Sequence, residues 1–230
     1  MCYHSSTPSV KKMLEQLPGY QVNYQGEEYF HVSSFARPFL PVTTNKNHRT
    51  IDSAQWKLLP FWVKNEDEAK KYANTCNAES ESIFEKASYK NYIKKNRGLL
   101  WVDGFYEPHK VKGQKETDNY YIYLPEKRIF SIGIVIAPWV NKDTGEVIDT
   151  FSVLTTKANE LLTEIHNEKK RMPLIIPPDD RDAWLEAKEP EQIKSFFKPF
   201  DGLLEAHKVY RVTADRTGET NRADIQERID

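Results

Sequence analysis

Cysteine is scarce in this sequence: 230 residues hold two, Cys2 and Cys76. Two cannot build a disulfide framework, and a reducing, cytoplasmic compartment is the expectation. Glycine is thin as well, at 9 residues. No G-x-G-x-x-G, no phosphate-binding P-loop and no G-x-S-x-G elbow occurs, which sets aside the common nucleotide folds and the hydrolase elbow. The 6 histidines and two cysteines show no metal-ligand spacing, so no metal and no other cofactor is expected. Neither sign of charge dominates, with 33 Lys+Arg against 34 Asp+Glu. A nucleic-acid partner would then have to be met by a local basic patch, not a global field. No apolar run approaches membrane-spanning length, and no basic segment leads into an apolar one at the N-terminus. Neither a membrane association nor a secretory signal is expected.

What the chain does have is apolar and aromatic material. Hydrophobic residues make up 39%, including 5 Trp, 12 Tyr and 11 Phe. That suffices for one sizeable core, and residues 1–230 read as a single domain. After Val212 the chain turns polar, so residues 213–230 are expected to form a loosely packed tail. Val10, Met13, Leu14 and Leu17 recur at helical spacing, with Thr7 as candidate N-cap, Pro8 in the first turn and Pro18-Gly19 as a stop. Ser88 is a candidate cap for a helix through Asn96. Residues 28–32, 39–43, 99–106, 120–124, 129–139 and 150–155 read as strands, and 111–119 as a surface loop. Thr156 is the candidate cap of a helix bearing Ala158, Leu161, Leu162 and Ile165, with His166 at its end. Further helices are expected after Pro177-Pro178 and near Pro190. Strands and helices mix without a βαβ period. The expected class is α+β: a mostly antiparallel, curled or barrel-like sheet with several flanking short helices.

Four residues stand out chemically. Loss of Met1 would give Cys2 a free α-amine, whose pKa of about 7.7–8.0 leaves much of it neutral near pH 7. An amine and a thiol on one residue can both add to one aldehyde, closing a thiazolidine. A cysteine near a terminus is more often an ordinary buried or frayed residue. Glu107 follows an apolar run, where burial would raise its pKa and let it hold a proton. Strand packing alone also explains such a run. His166 is either an acid/base group or a histidine favouring a helix end. Asn77 is either a turn residue or one that orients a substrate or positions a terminus.

Taken in order, these pieces resemble the SOS-response-associated peptidase (SRAP) family. Its members begin Met-Cys, as here. Trp56-Lys-Leu-Leu-Pro60-Phe-Trp62 resembles the family's Trp-Gly-Leu-x-Pro-x-Trp segment, and Asn77-Ala-Glu-Ser-Glu81 its Asn-Ala-Arg-Ser-Glu motif. Asp103-Gly-Phe-Tyr-Glu107 matches its Asp-Gly-Phe-Tyr-Glu element. Leu154-Thr-Thr-Lys-Ala-Asn159, His166 and Arg171-Met-Pro173 match three further blocks. The likeness runs from residue 1 to the region of Pro177, with weaker echoes near Asn221. It implies that Cys2, freed of Met1 by an aminopeptidase or by self-processing, crosslinks covalently to abasic sites in single-stranded DNA. This would shield the lesion during the DNA damage response. Asn77 would hold the terminal residue or the opened sugar, Glu107 would move protons during attack, and His166 would assist ring opening or reversal. A monomer is expected.

Three departures bear on DNA binding. Tyr3-His4 replaces the family's Gly-Arg, Glu79 replaces the arginine of Asn-Ala-Arg, and Asn167-Glu-Lys-Lys lengthens the gap before Arg171. With two phosphate-gripping arginines gone, the candidate phosphate contacts are Arg171, Lys169, Lys170, Lys46, His48 and Arg49, each also readable as solvated surface. Trp62 is a candidate for stacking on a base or for core packing. Two other readings remain open. One is a cysteine peptidase or amidohydrolase using Cys2, His166 and Glu107. The other is a non-covalent single-strand DNA binder.

Overall fold

The computed structural model describes residues 2–212 and 220–229. Among these, fourteen strands run in chain order. They are β1 (His4–Thr7), β2 (Gln21–Val22), β3 (Tyr29–Ser33), β4 (Phe39–Thr44), β5 (Asn47–Trp56), β6 (Asn77–Glu79) and β7 (Arg97–Val102). Then come β8 (Gly104–Lys110), β9 (Thr117–Tyr123), β10 (Phe130–Val140), β11 (Val147–Lys157), β12 (Arg171–Pro173), β13 (Ile175–Ile176) and β14 (Glu205–Val209). Six short helices flank them: α1 (Val10–Gln16), α2 (Glu66–Lys71), α3 (Ala87–Lys90), α4 (Glu160–Ile165), α5 (Arg181–Glu186) and α6 (Pro190–Lys194). None of the described helices is long and apolar enough to cross a membrane. The class is α+β, as expected.

Five strands close into a barrel in the order β11-β10-β7-β4-β5. The ladders are antiparallel until the seam, where β5 meets β11 in parallel with Gln55 opposite Thr150 and Trp56 opposite Phe151. Closure removes exposed edges. Both faces of β7 and most of β10 are buried, which is why β10 reads as a nearly unbroken apolar run. On β7, Leu100 and Val102 face one core while Leu99 and Trp101 face the other. On β10, Ile132, Ile134 and Ile136 join the first, and Val135 and Ala137 the second. This is the period-2 rule operating on two cores at once.

A second antiparallel sheet runs β14-β9-β8-β1-β3. β7 passes into β8 at Asp103, so the strand expected over residues 99–106 is two strands serving two sheets. Lys12 holds the Asp103 turn through an ion pair of 2.5 Å. β1 is internal, pairing His4 with Ser33 on one side and with Tyr106 on the other.

Two helix starts differ from the sequence reading because strands run longer. Thr7 pairs with Tyr29 in β1, so Ser9 caps α1 instead, accepting from the Lys12 amide. Thr156 and Lys157 pair with Met172 and Arg171, so Asn159 caps α4, accepting from the Leu162 amide at 3.0 Å. Ser88 lies inside α3, which begins at Ala87 and ends at Lys90, well short of Asn96. The loop expected over 111–119 is shorter, because β9 starts at Thr117. Residues 213–219 of the expected tail lie outside the described residues. Residues 220–229 pack back, with Ile225 buried and Phe30 held by Asn221 at its amide and by Gln226 at its carbonyl.

Candidate active site

The two sheets bring Cys2, Asn77, Glu107 and His166 to one place. Cys2 lies just before β1, and its thiol is 1% exposed, donating to the His4 carbonyl at 3.7 Å. Glu107 stands on the neighbouring β8, 1% exposed. His166 ends α4, whose last turn hands it inward, and it is 4% exposed. Its Nδ1 lies 3.7 Å from Glu107 Oε2 and 2.9 Å from the Arg171 carbonyl. A carbonyl only accepts, so Nδ1 carries hydrogen, and Nε2 is the acceptor of the neutral ring. Asn77 opens β6, in register with Val153 of β11. Its amide makes no hydrogen bond of ordinary geometry among the described residues, and it lies close to Tyr3, whose hydroxyl burial pushes above its usual range.

Burial pushes the Cys2 thiol well above the usual range, and the charge of Glu107 pushes it further. Cys76 is also raised, by burial. It sits beside Asn77, and its carbonyl accepts from Trp56 Nε1 at 3.0 Å, tying the site to the barrel seam. Neither cysteine is in a disulfide. Among the described residues, no group of three or more His, Cys, Asp or Glu is placed to hold a metal.

The candidate phosphate contacts divide. Arg171 reaches this region but is spent: it clamps Glu81 at 2.8 and 3.1 Å and also bonds Thr155. Lys169 and Lys170 are exposed on the turn beyond His166, where Lys170 adopts a left-handed φ of 49°. Asn167 fixes that turn to β8 through both bonds to the Lys110 backbone, at 2.9 and 3.1 Å. Lys46, His48 and Arg49 are not brought to the quartet. Lys46 lies in the turn before β5 and His48 and Arg49 at its start, roughly 25–35 Å along the strand from Trp56 at its other end. There Arg49 forks onto Asp182, 2.7 Å from each oxygen, and His48 shares a hollow with Lys94 and Lys95.

The replacements found in the sequence have definite places. His4 is buried and bonds His31, Nδ1 to Nε2, at 3.0 Å, so it offers no surface charge. Tyr3 stacks on Phe35 with ring centroids 5.2 Å apart. Glu79 lies 3.5 Å from Lys86, an exposed pair of little worth. Trp62 is 37% exposed and meets Phe61 and Tyr72 edge-on. The sequence reading missed the surroundings of Phe35, Arg37 and Lys57. The one available signal was Lys57, where the family pattern has glycine, and it holds φ at 97°.

Comparison with known proteins places this geometry in a family. Abasic site processing protein YoqW of Bacillus subtilis (strain 168) is 28% identical over 203 residues, 86% of each chain. Abasic site processing protein HMCES of Gallus gallus is 27% identical over 174 residues, 67% of this chain and 50% of that protein. A crystal structure of a protein from Bacteroides thetaiotaomicron superposes with a TM-score of 0.86 at 31% identity, covering 99% of this chain and 100% of that one. One from Bordetella bronchiseptica, at 22% identity, shares the fold with a TM-score of 0.77 over 90% and 99% of the two chains. The model of the family described as SOS response associated peptidase (SRAP) matches residues 1–215, and with the Cys2 site assembled as above, the chain belongs to that family.

Proposed function

We propose that this protein processes abasic sites in single-stranded DNA by covalent capture at Cys2, after Met1 is removed. The names of its relatives support the substrate. The observation that carries the mechanism is a buried terminal thiol beside a buried Glu107–His166 pair.

The steps follow from the groups present. An abasic sugar equilibrates between a closed hemiacetal and an open aldehyde at C1′. His166 Nε2, taking the C1′ hydroxyl proton and returning it to the ring oxygen, favours opening. The α-amine of Cys2 adds to C1′, and loss of one water leaves an imine. The thiol then adds across the C=N bond. Sulfur bonds carbon, the thiol proton passes to Glu107, and nitrogen gains a proton as the thiazolidine closes. The product is protein plus DNA less one water. Positioned proton transfer of this kind contributes typically about 10²–10⁴-fold.

The state of the thiol favours this order over peptidase chemistry. A peptidase cysteine is held as thiolate by an imidazolium. Here burial and Glu107 both oppose the thiolate, and His166 Nδ1 is committed to the Arg171 carbonyl. A neutral thiol suits the second addition, after the amine has engaged the aldehyde.

The test is a denaturing gel with single-stranded DNA carrying one abasic site. Protein whose Met1 loss is verified by intact mass should give a band that resists denaturant and requires the abasic site. Cys2→Ala should give none, and so should a form whose α-amine is blocked but whose thiol is intact. A blocked form that still acts would instead support the hydrolase reading. Absence of the band with mature protein would overturn the proposal.

A further inference from the structure

Two departures from the family pattern, 54 positions apart in sequence, flank one hollow. Tyr3 follows the nucleophile, and Lys57 follows Trp56 where the family has glycine. Between them lies a cavity of about 270 Å³ lined by Phe35, Arg37, Lys57, Lys70, Tyr72 and Cys76, among others. Three lining side chains are cationic and no lining residue is acidic. Arg37 is anchored by Glu66 at 2.7 Å, and Lys70 lies 3.6 Å from Asp67 in an exposed pair. Lys57 donates to the Ala69 and Tyr72 carbonyls at 2.9 and 3.2 Å, which leaves one of its three ammonium hydrogens for another acceptor. Backbone at φ 97° is costly for a lysine, and such strain is held where surrounding structure requires it.

The walls of the hollow are aromatic. Phe35 is 57% exposed, and its ring lies on Tyr3 at an interplanar angle of 25°. Asn74 donates to the Tyr3 hydroxyl at 3.2 Å, and Cys76 adjoins Asn77. The hollow therefore opens beside the quartet, on the Tyr3 side. Exposed rings interleaved with cations are how proteins hold unpaired strands: bases stack and phosphates meet charge.

We propose that this hollow is a phosphodiester subsite for single-stranded DNA next to the captured lesion, with Phe35 stacking an adjacent base and Lys57 and Lys70 meeting the phosphate. It supplies the charge that Glu79 and the buried His4 do not. The proposal rests on the single-strand reading above, yet it is separable from capture at Cys2.

The experiment measures binding of fluorescent, undamaged single-stranded DNA across a salt series, alongside crosslinking to abasic DNA at saturation. The variants are Phe35→Ala, Lys57→Gly and Lys70→Glu. Glycine suits the backbone at position 57, and positions 35 and 70 are exposed, so folding is retained, as a melting curve verifies. Phe35→Ala should weaken binding roughly 5- to 150-fold, the range for one lost base stack. Each lysine variant should lower the slope of log K against log salt by about 0.7, one phosphate contact on a single strand. Crosslink yield at saturating DNA should be unchanged in all three. Unchanged binding and slope in the variants, with crosslinking intact in the parent, overturns the subsite alone. Weakened binding with no crosslink in the parent upholds the subsite and overturns capture. Lower crosslink yield at saturation also overturns the subsite, because the hollow would then act on the chemistry.

Discussion

Cys2, the proposed nucleophile, has a buried hydrophobe's surroundings. Its thiol is raised first by burial and then by Glu107, and Cys76 is raised by burial as well. The thiolate is the species that alkylating reagents attack. In the folded chain that retains Met1, iodoacetamide at pH 8 should therefore leave both cysteines unmodified over a time in which the denatured chain reacts at both, as read by intact mass. Rapid labelling of Cys2 in the folded state would contradict the account and revive a thiolate mechanism. At this scale the sequence was informative where chemistry is rare. A cysteine at position 2, Asn77, Glu107 and His166 were legible because they fall within ordered motifs. Arg171 was legible as part of a motif and as a charge, but its partner was not. That Glu81 consumes that charge depends on β6 and β12 flanking β11, which no local pattern encodes.

The 34–37 turn and α2 form the wall of the cationic hollow, and Arg37 with Glu66 joins them. α2 is built to its dipole: Asn65 caps it, Glu66, Asp67 and Glu68 fill its first turn, and Lys70 and Lys71 its last. The Arg37 hydrogen bond is the main reason Glu66 is held below the usual carboxylate range. A depressed carboxylate stabilises the fold above its unfolded pKa, about 4.3, and the contribution fades as pH falls through the folded value. Glu66→Gln should thus lower the unfolding free energy measured in urea at pH 7, by less than about 1 kcal/mol given the exposure of the pair. The difference from the parent should shrink at pH 3. An equal gap at both pH values would mean that the ion pair is not the cause. Among elements, apolar strands such as β10 were readable, and polar ones were not. β5 carries Asn47, His48, Arg49, Asp52 and Gln55, and β1 reads His-Ser-Ser-Thr. All four β1 residues are buried because a strand lies on either side, a situation in which alternation gives no signal.

Over the whole molecule, the barrel sets where everything else stands. Its wall is tight where Gly98 of β7 passes β4: a Cβ there would lie 2.5 Å from the Thr43 carbonyl oxygen and 2.8 Å from Ile136 Cδ1. Backbone on one side and a packed core residue on the other leave little room to yield. Gly98→Ala should cost about 1–3 kcal/mol, and at this chain length each kcal/mol lowers Tm by about 2–4 °C. A melting curve that does not move would show the wall to be more compliant than its geometry implies. The two-sheet architecture was legible as a class, while the parallel seam between β5 and β11 was not, because it joins residues nearly a hundred positions apart. The same architecture bears on Cys2. In most chains the first residues have the greatest freedom, and reaching one reactive geometry would carry an entropic cost at every encounter with substrate. Here β1 is bonded on both flanks, so that cost is met when the protein folds. Under the covalent capture proposed above, Cys2 would stand ready before any DNA arrives, with no ordering left for the encounter itself.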